Sequence, residues 1–279
     1  MIDLSYAKAA TLLLPETSSW RFVLIGCGGT GSWLAPSIAR IACELREREK
    51  QVEIIFCDPD RVEEKNIPRQ NFCRAEIGEN KARTLAGRYA AAWGIEITAI
   101  PQPFETLSHF SGTTILIGCV DNAAGRKAIA KMLDMRRGDR HWWLDCGNSD
   151  EAGQVLFGNA LTPQALAAAG QTTSRKICGA LPAPSLVAPD LLVPRPEERL
   201  ARRRSCAEVA AVNFQSLAIN QQVAAIATDY LLRITGGGLK RFGTWFDLAA
   251  GSMRSRYNTP EELAGFQSKE RRARGAAAH

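Results

Sequence analysis

The feature that most constrains this chain is the stretch RFVLIGCGGTG, which runs from Arg21 to Gly31. An apolar run that leads directly into Gly-x-Gly-x-x-Gly is typical of a buried parallel strand, a tight turn and the start of a helix. Glycine is needed there because a Cβ would keep the backbone away from a phosphate, and the helix N-terminus supplies N–H groups and a positive dipole end. The stretch therefore predicts a nucleotide site at Gly26, Gly28, Gly29 and Gly31. The glycines alone do not distinguish NAD, FAD and ATP.

The composition is that of an ordinary globular domain, and its charge allows an anionic ligand. The chain has 279 residues, of which 46% are hydrophobic and 23% charged, enough for one large domain. Its net charge of +6 suits an anionic ligand such as ATP, or an acidic protein partner. The basic residues are scattered except at 202–204 and 269–274, so no nucleic-acid-binding stripe is visible and nucleic acid is not the expected partner.

The eight cysteines indicate a reducing compartment rather than a disulfide framework. No two are spaced as C-x-x-C, so paired zinc motifs are excluded and no zinc is expected. The N-terminus has an early acidic residue and only a brief apolar run, unlike a signal peptide, and no run is long enough to span a bilayer. We expect a cytoplasmic protein with no membrane partner.

Strand and helix patterns alternate along the first half of the chain. Strands are expected at 21–25, 52–57, 95–100, 113–120 and 142–146, and helices at 30–49, 80–93 and 122–135. Pro36 falls early enough in the first of these helices to be tolerated. This order predicts an α/β fold with a doubly wound, mostly parallel, Rossmann-like sheet.

A C-terminal extension is expected after this core. It comprises a strand at 153–158, a long helix from about 207 to 234 that stops at the triple glycine 236–238, and a short strand at 243–248. We assign the chain to one domain. Its parts are a nucleotide-binding core at 20–158, a proline-rich crossover loop at 171–205, a C-terminal helix and strand at 206–258 and a flexible tail at 259–279.

Polar residues come directly after the predicted strands, at the edge where an open α/β sheet binds its ligand. Asp58 ends the second strand, at about the distance from the glycines that suits a carboxylate binding ribose hydroxyls. The later motifs are not typical of a dehydrogenase. They are Asn66-x-x-Arg69-Gln70, Gly78-x-x-Lys81-Ala82 and Asp121-Asn122.

Two cations and one carboxylate at this edge match the needs of chemistry at an α-phosphate. We expect Arg69 and Lys81 to neutralise charge on the phosphate oxygens and Asp121 to hold Mg²⁺. Asn66 and Gln70 are expected to orient the triphosphate.

In this order, the motifs resemble those of the ThiF/MoeB/HesA superfamily, bacterial relatives of ubiquitin-activating enzymes. They are GCGGTG, D-x-D-x-V-x-x-x-N-x-x-R-Q, G-x-x-K-A and a strand ending in C-V-D-N, and they cover residues 21–158. The helix that follows Cys206 extends the resemblance. The missing zinc motifs, the proline-rich insert and the segment 205–221 look most like the ThiF-related protein of the PRTRC cassette of bacterial mobile elements.

The resemblance implies that ATP adenylates the C-terminal glycine carboxylate of a small ubiquitin-like or sulfur-carrier protein, with ATP and Mg²⁺ as cofactors and a homodimer as the working form. The residues agree with this chemistry independently. A carboxylate nucleophile is already ionised at neutral pH, so adenylation needs no general base. The chain has only three histidines, and none lies in a recognisable catalytic setting.

The resemblance also implies that a cysteine takes the acyl group as a thioester. Cys206 is our candidate because it follows three arginines and precedes the long helix, and both cations and a helix N-terminus lower the pKa of a thiol. Cys178, which follows Arg175 and Lys176, is the second candidate for similar reasons. A purely structural role for all eight cysteines stays open.

Two other functions stay open, and one departure from the family pattern favours the first of them. Relatives donate an arginine from an N-terminal helix to the partner subunit's ATP site, whereas the first twenty residues here contain no arginine. A catalytically silent nucleotide-binding scaffold would explain that departure. The other alternative is an NAD(P)-dependent oxidoreductase on the same fold, for which the sequence offers no visible proton donor.

Overall fold

A computed structural model describes residues 5–105, 111–135, 140–149, 151–169, 171–172, 176–196 and 217–266. The strands in these ranges are β1 (Thr11–Leu12), β2 (Ser19–Ile25), β3 (Gln51–Cys57), β4 (Thr98–Ile100), β5 (Thr113–Gly118), β6 (His141–Asn148), β7 (Ala152–Gly158), β8 (Gln171–Thr172), β9 (Ile177–Cys178), β10 (Arg241–Asp247) and β11 (Ser252–Tyr257). The helices are α1 (Ser5–Lys8), α2 (Gly29–Glu47), α3 (Lys81–Trp93), α4 (Ala123–Met135), α5 (Pro163–Ala168), α6 (Pro184–Val187) and α7 (Leu217–Thr235), and residues 260–266 are also helical.

The main sheet of the described residues has eight strands in the order β11-β10-β7-β6-β5-β2-β3-β4. The strands from β6 to β4 pair in parallel, and β7, β10 and β11 extend the sheet with antiparallel pairings. The predicted α/β fold with a mostly parallel, Rossmann-like sheet is therefore confirmed.

Alternate residues of the central strand β2 enter cores on opposite faces of the sheet. Phe22 and Leu24 join the larger core, and Val23 and Ile25 join the smaller one. The larger core contains side chains of α2, α3 and α7, whereas the smaller contains those of α4. Helices thus cover both faces, as a doubly wound fold requires.

The predicted crossover loop at 171–205 has more structure than its proline content indicated. It contributes β8 and β9, which form a three-stranded sheet with β1, then α6 and a 3-10 turn at Pro189–Leu192. Leu181 and Ala183 are completely buried. The prediction of a plain loop is wrong for 176–192, because apolar residues between the prolines pack against the sheet.

The predicted flexible tail at 259–279 is also partly wrong. Residues 260–266 are helical, and Leu263 and Phe266 are buried. The Phe266 ring contacts Phe242 of β10 edge-on, at 5.6 Å between ring centroids. One aliphatic and one aromatic side chain therefore anchor this segment to the domain.

The elements differ from prediction in several places. β4 begins at Thr98 rather than at Ile95, and β11 is a strand that the sequence pattern did not identify. Of the predicted long helix, residues 207–216 lie outside the described ranges, and the described part is α7. Within the described ranges, no helix combines the length and apolar character needed to cross a membrane.

Candidate nucleotide-binding site

The candidate site lies where the strand order reverses. The chain runs outward from β2 to β3 and β4 and then returns to place β5 on the other side of β2. The loops after β2 and β5 therefore separate at the carboxyl ends of two neighbouring parallel strands. In open α/β sheets, ligands bind in the crevice at this position.

The glycine turn packs against the end of β5 without room for side chains. Gly26 has a φ of +89°, and a Cβ there would lie 2.6 Å from the carbonyl oxygen of Cys119. A Cβ on Gly31 would lie 1.9 Å from the carbonyl oxygen of Gly26. Both contacts are with backbone, which cannot move aside as a flexible side chain can. Glycine is thus required at both positions.

The turn delivers the N-terminus of α2 to the crevice. Gly28 is the residue that precedes the helix, and it has no side chain to cap the first turn. The first N–H groups of a helix have no intrahelical partner, and they carry the positive end of the helix dipole. This end of α2 is suited to bind a phosphate.

Asp58 holds the turn in place. Its two carboxylate oxygens accept hydrogen bonds from the backbone N–H of Cys27 (2.6 Å) and of Asp60 (2.8 Å), and the residue is 5% exposed. Burial raises the pKa of Asp58 above its ordinary value, while the two N–H donors and the charge of Lys81 oppose that shift. The carboxylate predicted to bind ribose therefore also fastens the exit of β2 to that of β3.

Lys81 is the first residue of α3 and lies beside Asp58. Its side chain is 7% exposed, and its ammonium group is 3.3 Å from the Asp60 carboxylate. The preceding Asn80 caps α3 by accepting from the Arg83 N–H, and its own amide donates to the carbonyl oxygens of Asp58 and Asp60. A buried lysine is thus held at the edge of the crevice by the residue before it.

Gln70 points its side chain toward the glycine turn. A Cβ on Gly28 would lie 3.7 Å from Gln70 Nε2, and Gln70 is 8% exposed. Its Oε1 atom is buried and has no hydrogen-bond partner among the described residues. Because buried polar atoms normally have partners, this side chain fits a polar ligand bound at the turn.

The loop that carries Arg69 and Gln70 is attached to α2 at a carbonyl that Pro36 leaves without its helical donor. Proline has no N–H, so the Ser32 carbonyl four residues earlier lacks its helical donor. The side chain of Asn71 donates to that carbonyl (3.3 Å), and the Asn71 backbone N–H donates to the Ser32 hydroxyl (2.9 Å). Pro36 lies in the interior of α2 rather than near its first turn as predicted, and the helix defect gives the loop an attachment point.

Asn66 shapes the start of the same loop. Its side-chain oxygen accepts from the Glu63 N–H (2.9 Å), and its carbonyl accepts from the N–H groups of Arg69 and Gln70. Asn66 is 3% exposed. The structure thus gives Asn66 a role in folding the loop, beside the predicted contact with the triphosphate.

Asp121 lies at the same edge of the sheet, two residues beyond Cys119, and is exposed. Asn122 caps α4 by accepting from the Gly125 N–H (2.8 Å) and donates to the Asp121 carboxylate (3.1 Å). Within the described ranges, no three His, Cys, Asp or Glu side chains form a metal-binding group. A single accessible carboxylate fits Mg²⁺, which is usually bound by one or two carboxylates together with phosphates and water.

A cavity of about 950 Å³ opens beside this edge, between the end of β6 and the β10–β11 hairpin. Its lining is mixed: Arg126, Asn148, Arg195, Trp245 and Met253 all contribute. Arg126 forms a buried ion pair with Asp145, at 3.0 Å. Burial raises the pKa of Asp145, although the Arg126 charge opposes the shift. The cavity is large enough for several residues of a peptide.

The structure tests one of the two cysteine candidates. Cys206 and the arginines before it lie outside the described residues. Cys178 is 1% exposed, and burial raises its pKa to about 12. The expectation that nearby cations lower the Cys178 pKa is wrong, because the thiol is turned into the core. Cys178 is not an activated nucleophile in this structure.

Sequence reasoning missed Asn220 of α7. Its side chain contacts the loop of Arg69, the first turn of α2 and the end of β6. Asn220 lies in the segment 205–221, on which the subtype resemblance rests, but that segment gives it no role, and it is far along the chain from its partners. The signal for a role was a polar side chain on the otherwise apolar face of a helix.

Comparisons with known proteins agree with this fold. The model of the ThiF family matches residues 11–141, a little under half of the chain. Among solved structures, E. coli MccB with ATP has a TM-score of 0.53 and 15% identity over 92% of this chain and 66% of that chain. PaaA has a TM-score of 0.53 and 14% identity over 86% of this chain and 64% of that one. At such identity, the likeness concerns the fold.

A third structure is a complex. The microcin C7 biosynthetic enzyme MccB in complex with N-formylated MccA has a TM-score of 0.53 and 14% identity, covering 86% of this chain and 65% of that chain. This chain thus spans just under two thirds of the length of these proteins. No curated protein sequence matches it.

Proposed function

We propose that this chain is an ATP-dependent adenylyltransferase that activates the C-terminal carboxylate of a small protein or peptide. The observation that carries the proposal is the set of contacts around the glycine turn, where Asp58 binds the turn, Lys81 adjoins Asp58 and Gln70 lies over Gly28. The match to the ThiF family model and the fold shared with MccB bound to ATP support it.

In the proposed reaction, an oxygen of the partner's carboxylate attacks the α-phosphorus of ATP. A new O–P bond forms, the bond from the α-phosphorus to its bridging oxygen breaks, and pyrophosphate leaves with the electron pair. Lys81 and Arg69 would neutralise the charge that develops on the phosphate oxygens, and Gln70 and Asn66 would orient the triphosphate. Asp58 would receive the ribose hydroxyls.

Asp121 would hold Mg²⁺, which supplies shielding of phosphate charge when it is bound. The cavity beside Asn148 is at the same edge of the sheet and would admit the C-terminal residues of the partner. Where the partner is passed on as a thioester, the Cys206 thiolate would next attack the acyl carbon of the adenylate, forming a C–S bond as the bond from that carbon to the phosphate oxygen breaks and AMP leaves.

The finer identity is part of the proposal. We propose a ubiquitin-like or sulfur-carrier protein that ends in glycine as the substrate, a homodimer in the cytoplasm as the working form, and the PRTRC type as the subtype. The support is the set of motifs, together with a cavity of about 950 Å³ at the same edge of the sheet that would admit the end of a peptide chain.

The test is exchange of labelled pyrophosphate into ATP, measured with synthetic peptides that end in Gly-Gly. A free C-terminal carboxylate should support exchange, and the same peptide with an amidated C-terminus should not, because the amide removes the nucleophile. No exchange with any free-acid peptide or small carrier protein, together with binding of NADH in preference to ATP, would overturn the proposal.

A further inference from the structure

Helix α7 reaches the crevice through one buried side chain, Asn220, which is 1% exposed. Its Nδ2 donates to the Arg69 carbonyl oxygen (3.3 Å). Its Oδ1 accepts from Asn148 Nδ2 (2.8 Å) and from the Thr30 hydroxyl (3.4 Å). A single amide therefore joins the loop of Arg69, the end of β6 and the first turn of α2.

The same amide lies against the glycine turn. A Cβ on Gly29, the first residue of α2, would lie 2.5 Å from Asn220 Oδ1. The backbone of Gly29 and the Asn220 amide are thus in direct contact. The Asn220 amide therefore packs against the first turn of α2, whose N–H groups are suited to bind a phosphate.

The Arg69 carbonyl has a second donor, Trp33 Nε1 of α2, also at 3.3 Å. Two donors from two helices fix the orientation of the peptide that joins Arg69 to Gln70. The N–H of that peptide donates to the Asn66 carbonyl (2.9 Å). The peptide between Arg69 and Gln70 is therefore held at both its C=O and its N–H, and this fixes the direction in which the two side chains leave the backbone.

We propose that Asn220 is a positioning residue for the triphosphate. It holds the Arg69–Gln70 peptide and the glycine turn at a fixed separation, and so sets the affinity for the β- and γ-phosphates. This inference rests on the proposed function, because it takes the ligand of the turn to be ATP. An amide suits the role because it donates and accepts at the same time, whereas a carboxylate only accepts.

The test is a pair of calorimetric titrations of the full chain, with Mg-ATP and with AMP. Asn220→Asp keeps the shape of the side chain but turns an oxygen toward the Arg69 carbonyl. ATP affinity should fall about tenfold. AMP affinity should fall by less than about threefold, because AMP has no β- or γ-phosphate to be misplaced. The ATP-to-AMP affinity ratio is therefore the readout.

Two control variants on the same helix separate positioning from stability. Gln221→Ala removes an exposed neighbouring amide and should leave the ratio at the wild-type value. Val223→Ala removes volume from the core, where Val223 is fully buried. It should lower the melting temperature without changing the ratio, because the Val223 side chain is apolar and makes no hydrogen bond to the turn or the Arg69 loop.

Adding the Asn220 substitution to a double variant tests whether its effect on the affinity ratio passes through Arg69 and Gln70. In a chain that already carries Arg69→Ala and Gln70→Ala, Asn220→Asp should lower the ratio by less than it does in the wild-type chain, since part of its effect passes through those two side chains and residues that act through one another are not additive. A full additional loss in that background would overturn the inference, as would a wild-type ratio in the single variant. If Asn220→Asp does not fold, Trp33→Phe must lower the ratio in its place, and an unchanged ratio there is equally decisive.

The same titrations test the proposed function separately from the role of Asn220. If the wild-type chain does not bind ATP at all, the adenylyltransferase assignment is wrong and the inference falls with it. If the wild-type chain binds ATP and the variants behave as wild type, only the role of Asn220 is wrong.

Discussion

On the β3 side of the crevice the candidate side chains are buried and bonded to their surroundings, whereas on the β5 side the candidate carboxylate is exposed. Asp58 and Lys81 are 5% and 6% exposed, and both adjoin the glycine turn or the residues that support it. The Asp121 carboxylate accepts a hydrogen bond from its neighbour Asn122 and lies open to solvent.

The difference teaches that binding and chemistry make separate demands on the fold. A site for a nucleotide gains affinity from groups held in place before the ligand arrives. A carboxylate that meets a hydrated ion and an incoming partner needs access instead. Variants on the β3 side should therefore alter stability as well as activity, and variants on the β5 side should alter activity alone.

The largest effect is expected at the turn itself, with Gly31→Ala. The added Cβ would meet the Gly26 carbonyl at 1.9 Å, so we expect a loss of about 3 kcal/mol or more in unfolding free energy and loss of ATP binding. Gly87→Ala, in the exposed part of α3 with no atom within 4 Å, is the matched control. It should gain about 0.5–1 kcal/mol. Equal melting curves for the two variants would contradict this packing.

Lys81→Ala should lower pyrophosphate exchange by about 10²–10³-fold, because it removes a positive charge held at the phosphate position. Alanine is a good helix former, so the start of α3 should persist. Lys65→Ala removes a lysine whose side chain is 41% exposed and paired with Glu63. It should exchange like the wild type. If both lysine variants lose the same activity, Lys81 contributes no more to pyrophosphate exchange than an exposed lysine does.

Asp121→Asn should lower exchange by about 10–100-fold with an unchanged melting temperature. Asp58→Asn should lower both quantities, because it turns an amide donor toward one of the two backbone N–H groups from which Asp58 accepts. Measuring both variants by exchange and by calorimetry sharpens the contrast between the two sides. If Asp121→Asn were destabilised and Asp58→Asn were as stable as the wild type, the proposed contrast between the two sides of the crevice would be wrong.

The smallest effect concerns Cys178, which lies away from both sides of the crevice. Its pKa is raised from 9.0 to about 12 by burial, so the unfolded chain loses this proton first as the pH rises. Folding stability should therefore decrease progressively above pH 9 and less steeply in Cys178→Ala. At pH 8, alkylation of Cys178 should be on the order of 10³-fold slower in the folded chain than in urea. Rapid alkylation of Cys178 in the folded chain would contradict its burial.

The sequence predicted the parts of the fold that depend on neighbouring residues. The apolar run of β2, the glycines and the strand–helix alternation were enough for the Rossmann-like sheet, because each signal lies within one element. The order of the later motifs placed Asp58 and Lys81 at the carboxyl edge, where parallel strands collect their loops.

The rest depended on contacts between distant segments. Asn220 reaches Arg69 from a helix that follows it by 151 positions, and no periodicity encodes such a pairing. The cations near Cys178 in sequence make it the second candidate for a reactive thiol, but the pairing of β9 with β1 turns it inward. The charged sequence around 260–266 predicts a tail, but the burial of Leu263 and the contact of Phe266 with Phe242 hold this helix against the domain.

The most direct test of the central claim is a crystal structure of the chain with a non-hydrolysable ATP analogue and Mg²⁺. We expect the phosphates over the residues from Gly28 to Gly31, with Lys81 Nζ within hydrogen-bonding distance of a phosphate oxygen and Asp121 facing the ion. An analogue bound elsewhere, with the glycine turn and Gln70 untouched, would contradict the account.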